Sequence, residues 1–176
     1  FQDRWRQWQD GAFPWENMHD LAEIGVLSMS VPQAYGGLAM SVLDAALVLE
    51  ELAKVCYVTA MAVLGEVGTQ TRMIAHFAPE DIKQDILPRV ASGDAVLSIC
   101  MTEPDAGTDL GRIRTKAIRS ADELILSGTK TLISRADVAE GFVVFARIDD
   151  IPGIDGLGGV YVKRDTPGMS VNTTYH

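Results

Sequence analysis

Apolar positions divide the chain into a helical first half and a second half of short strands. The clearest helical pattern covers residues 41–55, where Ser41 and Asp44 resemble a capping box. Apolar side chains occupy nearly every face of this helix, which is typical of a helix buried in a bundle or in an oligomer interface. The pattern predicts a second long helix over residues 59–77, weakened locally by two glycines.

Prolines and glycines predict where the shorter helices begin and end. Pro14 suits the first turn of a helix, and Gly25 suits its exit. Another helix is expected to begin after Pro79, because acidic residues follow it and stabilise a helix N-terminus. That helix should run to about Leu87, since Pro88 comes next.

The pattern changes from helical to extended after residues 91–94, which read ASGD. We therefore predict an all-α domain over residues 1–92 and a β-domain over residues 93–176. Helices followed by antiparallel strands define an α+β fold, with a β-barrel or sandwich as the second domain. The predicted strands are residues 95–100, 115–119, 124–127, 142–147 and 159–162, and the Gly- and Pro-rich residues 151–158 are predicted to form a loop.

Composition narrows the classes of function. The net charge of −9 argues against general nucleic-acid binding, which needs a basic surface, but local backbone donors can still hold an anionic ligand. Cys56 and Cys100 make no disulfide framework in a chain of this size and indicate a reducing compartment. No apolar stretch is long enough for a membrane span, and the histidines His19, His76 and His176 lack metal-ligand spacing.

Two spaced segments carry the strongest chemical signal. The run MTEPDAGTD occupies residues 101–109, and LSGTKTLIS occupies residues 126–134 after a predicted hairpin. Taken alone, the first run could be a loop that merely leaves a strand, since short motifs match by chance. At this spacing, the two runs together resemble the flavin-facing segments of the acyl-CoA dehydrogenase family. Further similarities to that family lie at residues 35–37, 87–93 and 165–168.

The resemblance implies a FAD-dependent enzyme of fatty acid metabolism. Such an enzyme oxidises an acyl-CoA to its 2,3-enoyl-CoA, transfers a hydride to flavin N5 and passes electrons to an electron-transfer flavoprotein. The resemblance also implies a homo-oligomer, a dimer or tetramer, in the bacterial cytoplasm or in the mitochondrial matrix of a eukaryote. The chain is expected to be incomplete, because the family's catalytic glutamate lies in a C-terminal helical domain. We therefore nominate no catalytic residue and expect residues 1–176 alone to be inactive and to bind FAD poorly.

Carried over by position, nine residues would contact the flavin cofactor. Thr102 would donate near flavin N1 and O2, where negative charge develops on reduction, and Ser134 would donate near N5. Thr108 would approach both the FAD diphosphate and the pantetheine arm of the acyl-CoA, and Gly107 would permit close approach. The predicted cofactor-binding residues are Ile99, Cys100, Met101, Thr102, Gly107, Thr108, Leu132, Ile133 and Ser134, and Thr108 is also the predicted substrate-binding residue.

Departures from the family pattern leave other functions open. The family's usual Trp is Leu132 here, which removes aromatic cover from the flavin, and its usual Thr is Ser134, which keeps the donor. An acyl-CoA oxidase or a crotonobetainyl-CoA-type flavoenzyme could use the same scaffold. A non-catalytic interaction module acting through the apolar helix 41–55 is an alternative from another class. Glu50 and Glu51 are expected to be solvated or interfacial, because adjacent helix positions diverge.

Overall fold

The computed structural model describes residues 4–8 and 11–172, which cluster into two units. The helical unit contains the described residues up to Leu97 together with Asn172, and the strand unit spans Ser98–Val171. The α+β prediction is confirmed, since helices precede strands along the chain. The predicted domain boundary after Ser92 stays a prediction.

Within the described residues, five α-helices build the helical unit around an apolar core. Their bounds are α1 Trp15–Glu23, α2 Val42–Val55, α3 Tyr57–Val67, α4 Thr69–Phe77 and α5 Glu80–Ala91. Helix α1 begins after Pro14 and is followed by Gly25 in the left-handed region, as the sequence predicts. The largest fully buried apolar side chains of this unit include Met18, Leu21, Leu27, Val63, Ile86 and Leu87. Burying one such side chain stabilises a fold by roughly 1.5–3 kcal/mol.

Two of the predicted helices have the wrong bounds. Residues 59–77 belong to α3 and α4 rather than to one helix, because Gly68 between them has φ −89° and ψ −111°. A Cβ on Gly68 would lie 2.3 Å from the Leu64 carbonyl oxygen, so this break needs a glycine. Helix α5 continues through Pro88 to Ala91, because Ile86, Leu87 and Val90 are buried and their packing offsets the hydrogen bond that proline cannot donate.

The capping box of α2 is confirmed. The Ser41 hydroxyl accepts from Asp44 N at 3.2 Å, and the Asp44 carboxylate accepts from Ser41 N at 2.9 Å. The hydrogen bonds from the Ser41 hydroxyl and N–H lower the pKa of Asp44 below its usual value. Glu50 and Glu51 lie on the exposed surface of α2 and both pair with Lys54, as a solvated helix face predicts.

Ser41→Ala should lower the free energy of unfolding by about 1 kcal/mol, because the Asp44 N–H loses its acceptor at the start of α2. Urea unfolding followed by far-UV circular dichroism measures this change. The exposed Ser170, which lies outside the helices and strands, provides the matched control Ser170→Ala. Equal unfolding midpoints for the two variants would contradict the role of the capping box.

Helix α2 is not buried within this chain. Of its fourteen residues only Ala45 is buried, and the large side chains Val42, Leu43 and Leu47 are exposed. The prediction that α2 is buried in a helical bundle of this chain is therefore wrong. Its burial in an oligomer interface stays a prediction. Among the described residues, no helix combines the length and apolar character that crossing a membrane requires.

The strand unit contains one five-stranded sheet among the described residues. The strands are β1 Leu97–Cys100, β2 Lys116–Ser120, β3 Glu123–Ser127, β4 Gly141–Ile148 and β5 Leu157–Lys163. Strands β2 and β3 form an antiparallel hairpin, and β4 pairs with β5 in antiparallel register from Gly141 opposite Lys163 to Arg147 opposite Leu157. Strand β1 also lies beside β4 in the sheet.

The prediction of purely antiparallel strands is wrong at one pair. Strands β2 and β4 run parallel, with Lys116 opposite Arg147 and Ala117 opposite Ile148. Parallel neighbours need a crossover of about a dozen residues or more, and β3 together with residues 128–140 supplies it.

Two strands begin at residues other than the predicted ones. Strand β1 begins at Leu97 rather than at residue 95, because the N–H groups of Asp94 and Ala95 both donate to Arg89 O at the end of α5. Strand β5 begins at Leu157, inside the predicted loop 151–158, because the Gly-rich segment still pairs with β4.

Candidate functional site

The two segments singled out in the sequence lie side by side in the strand unit. Residues 98–103 include the end of β1 and the turn after it, and residues 130–134 follow β3. Hydrogen bonds join the two segments although they are far apart along the chain. Side-chain and backbone donors from both segments make the connection. The joining hydrogen bonds are Ser98 Oγ to Ser134 O at 2.7 Å, Thr131 N to Thr102 O at 3.0 Å and Lys130 Nζ to Met101 O at 3.0 Å.

A buried ion pair lies at the centre of this connection. Lys130 Nζ is 2.9 Å from Glu103 Oε1, and the two side chains are 10% and 5% exposed. The Glu103 carboxylate also accepts from Arg114 N at 2.7 Å and from Thr115 N at 2.9 Å. A buried charge is tolerated when it is paired and hydrogen-bonded, and this carboxylate meets both conditions.

The surroundings of Glu103 keep its carboxylate ionised. Burial by itself would raise the pKa of Glu103, but the Thr115 hydroxyl that faces it, the Arg114 and Thr115 N–H groups and the Lys130 ammonium lower the pKa to about 2. Since the Thr115 hydroxyl makes no hydrogen bond of normal geometry, we attribute the lowering to the N–H groups and the ammonium. The ion pair therefore persists throughout the neutral range.

A tight turn positions Glu103 for this role. Glu103 N donates to Ala106 O at 2.9 Å, and Ala106 N donates to Glu103 O at 3.1 Å. Pro104, at the second position of the turn, restricts the backbone there because its ring fixes φ. Farther along, the Asp109 carboxylate accepts from Gly111 N and caps the short 3₁₀ segment Leu110–Arg112.

The structure leaves hydrogen-bond donors of the predicted site unused. Thr102 is half-buried, and neither its N–H nor its hydroxyl donates to a described residue. Thr108 and Ser134 are exposed and their hydroxyls make no hydrogen bond with the described part of the chain. A Cβ added to Gly107 would meet nothing within 4 Å, so the backbone there is open to a ligand. These features fit an acceptor-rich anionic cofactor.

The apolar members of the predicted set differ in exposure. Cys100 is buried, and burial raises the pKa of its thiol to about 11, which makes it a packing residue rather than a nucleophile. Ile99, Met101 and Ile133 are half-buried. Leu132 is 70% exposed and has φ 55°, a left-handed conformation that costs a non-glycine residue roughly 1–2 kcal/mol.

Two residues that hold the candidate site together were not predicted from the sequence. Glu103 and Lys130 both lie inside the two quoted segments, but we assigned neither a role. Their opposite charges among apolar and hydroxyl residues were the available signal. No cluster of three or more His, Cys, Asp or Glu residues with the geometry of a metal site occurs in the described ranges, which exclude His176.

Family models match nearly the whole chain. The model described as acyl-CoA dehydrogenase, N-terminal domain, covers residues 1–94, and the model described as acyl-CoA dehydrogenase, middle domain, covers residues 98–176. The chain therefore belongs to the acyl-CoA dehydrogenase family, which confirms the resemblance drawn from the two segments.

Curated and solved relatives agree with this membership. Cyclohex-1-ene-1-carbonyl-CoA dehydrogenase of Geobacter metallireducens is 38% identical over 159 residues, which are 89% of this chain and 41% of that protein. An acyl-CoA dehydrogenase complexed with FAD from Bacillus anthracis superposes with a TM-score of 0.85 at 26% identity, over 99% of this chain and 30% of that one.

A third relative is a solved structure described as an electron transferring flavoprotein of Acidaminococcus fermentans. It superposes with a TM-score of 0.84 at 30% identity, over 95% of this chain and 43% of that one. The chain thus spans less than half the length of each of these relatives.

Proposed function

We propose that this chain supplies the flavin-facing part of a FAD-dependent acyl-CoA dehydrogenase, which oxidises an acyl-CoA to its 2,3-enoyl-CoA. One observation carries the proposal: the unused donors of Thr102 and Ser134 lie on two segments that are tied to each other, beside the open backbone of Gly107. Membership of the family and the FAD complex of the Bacillus anthracis relative support FAD as the ligand.

The chain's own residues would bind and orient the cofactor. Bound FAD supplies the hydride acceptor. The Thr102 N–H and hydroxyl would donate to the flavin edge where negative charge develops, and the Ser134 hydroxyl would donate near N5. Thr108 would contact the diphosphate and the pantetheine arm, with Gly107 allowing close approach. Ile99, Cys100, Met101, Leu132 and Ile133 would line the ring.

The proposed partners follow from the same assignment. The acyl-CoA is the substrate, and an electron-transfer flavoprotein is the proposed electron acceptor, a role consistent with the Acidaminococcus fermentans neighbour. The exposed apolar side chains of α2 and α3 support a homo-oligomer. We assign no catalytic base to this chain, and its cellular location stays a prediction.

One observation favours a second candidate, an acyl-CoA oxidase. Leu132 stands where the family pattern has an aromatic residue, and it is 70% exposed. A leucine covers less of a flavin ring than an indole does, so access to the flavin would increase. Stoichiometric hydrogen peroxide during acyl-CoA turnover would identify an oxidase.

The test of the proposed function is a visible spectrum of the longest natural version of the protein, purified without added FAD. Flavin bands that bleach on anaerobic addition of an acyl-CoA would support the dehydrogenase. A panel of short, long, branched and cyclic acyl-CoAs would then define the substrate. A colourless protein that takes up no FAD and ignores every acyl-CoA would overturn the proposal.

Gly107→Ala separates binding from folding. The new methyl group meets no atom of the chain within 4 Å, so the free energy of unfolding should change by less than about 0.5 kcal/mol. The same methyl group would lie where the cofactor approaches, so FAD affinity in the longest natural version should fall at least about tenfold. Fluorescence titration with FAD measures this, and unchanged affinity would remove Gly107 from the site.

A further inference from the structure

We propose that Lys130 is a positioning residue whose ammonium group orients the Thr102 N–H toward the cofactor. The identification of that cofactor as a flavin rests on the proposed function. The geometric part of the inference stands on the hydrogen bonds of the strand unit alone.

Lys130 binds the peptide group that joins Met101 to Thr102. A trans peptide is planar, so its carbonyl and its N–H point in opposite directions. Lys130 Nζ binds the Met101 carbonyl oxygen at 3.0 Å. The Thr102 N–H of the same peptide must therefore point away from Lys130, and it donates to no described residue.

The neighbouring carbonyl groups are also held by the chain. Thr102 O accepts from Thr131 N at 3.0 Å, and Glu103 O accepts from Ala106 N at 3.1 Å. Successive acceptors in this segment are thus used internally, whereas the Thr102 donors are left over. A ligand bound to residues 101–103 would therefore contact the Thr102 donors and no free carbonyl oxygen, which suits the acceptor-rich edge of a ring.

A cation is needed at position 130 for this arrangement. The ammonium binds both Met101 O and Glu103 Oε1, so one group connects a peptide and a buried carboxylate. Glu103 in turn is anchored by the N–H groups of Arg114 and Thr115. The positive charge of the ammonium, which lies beside the Met101 carbonyl oxygen, also polarises the peptide group and makes its N–H a stronger donor.

The test uses a double variant that removes the charges together. Glu103→Gln with Lys130→Met leaves no unpaired buried charge, and the glutamine oxygen can still accept from the backbone. Met101 O then loses its donor. Lys130→Arg keeps the cation, and Lys116→Met removes the lysine of the exposed Lys116–Asp150 pair in the same unit as the matched control.

Two readouts separate positioning from stability. Amide hydrogen exchange at Thr131 in this chain reports the connection between the segments without any cofactor. FAD affinity and the flavin absorption maximum in the longest natural version report the orientation of Thr102. For the double variant we expect about tenfold faster exchange at Thr131, about tenfold weaker FAD binding and a shifted flavin absorption maximum. Lys130→Arg, which keeps the cation, should have nearly wild-type values of all three quantities. Lys116→Met should change none of them.

The possible results discriminate between the two proposals. The positioning role would be overturned if the double variant had the same FAD affinity and flavin spectrum as the Lys116→Met control. This holds even if exchange at Thr131 is faster, because the Glu103–Lys130 pair would then be structural only. Unchanged exchange would overturn it as well. A wild-type protein that takes up no FAD, with faster Thr131 exchange and its rescue by Lys130→Arg, would remove the proposed function and keep the geometric part of the inference.

Discussion

Glu103→Ala should lower the free energy of unfolding by about 3–5 kcal/mol, the loss typical of breaking a buried ion pair from one side. The substitution leaves the Lys130 ammonium, which is 10% exposed, without its carboxylate. It also removes the acceptor of the Arg114 and Thr115 N–H groups, and Thr115 is buried. Unsatisfied buried donors add a penalty of their own. Urea unfolding at neutral pH, followed by a probe in the strand unit, measures the change.

The chain contains a matched control for this prediction. Asp150 pairs with Lys116 at 2.6 Å, but both side chains are about half exposed. Asp150→Ala should therefore lower the free energy of unfolding by no more than about 1 kcal/mol. If Glu103→Ala and Asp150→Ala had the same effect, the Glu103–Lys130 pair would not stabilise the strand unit in the way its burial implies.

Acidification should remove on the order of 3 kcal/mol of stability through Glu103 alone. The pKa of this carboxyl is about 2 in the folded chain against its ordinary value of 4.5. A lowered folded pKa stabilises the fold above the unfolded pKa, and that contribution is lost as the pH falls from about 4.5 toward 2. Each unit of difference between the folded and unfolded pKa values corresponds to about 1.4 kcal/mol, which sets the size of the expected loss.

The measurement is urea unfolding of the wild type and of Glu103→Gln from pH 7 to pH 3. Other carboxylates titrate in this range, including Asp44 with its own lowered pKa, so only the difference between the two proteins isolates Glu103. The wild-type advantage should be constant above about pH 5 and should shrink below it. An advantage that stays the same down to pH 3 would show that Glu103 has an ordinary pKa.

Features coded by neighbouring residues were predictable from the sequence. The capping box of α2 and the starts of α1 and α5 depend on side chains within about one helical turn of each other, so the sequence contains them directly. The five strands were located, with bounds that shift at β1 and β5 by two residues. The two segments of the candidate site were found because each is a contiguous run, and the family match confirms the resemblance that they carry.

Features that depend on distant residues were decided by the tertiary structure. The parallel pairing of β2 with β4 follows from the order of strands in the sheet, which no local pattern encodes. The path of α5 through Pro88 depends on the packing around it. The exposure of α2 is likewise a result of which neighbours cover it.

The Glu103–Lys130 ion pair shows most clearly what the sequence determines and what the tertiary structure decides. The sequence by itself placed Glu103 and Lys130 in two separate runs and determined which donors and acceptors each run contains. Only the tertiary structure, by joining the chain that follows β1 to the chain that follows β3, decided that the ammonium binds both the Met101 carbonyl and the Glu103 carboxylate. Hydrogen-bond partners that lie far apart in sequence depend on the closing of long loops, and the packing of the whole unit determines which loops close.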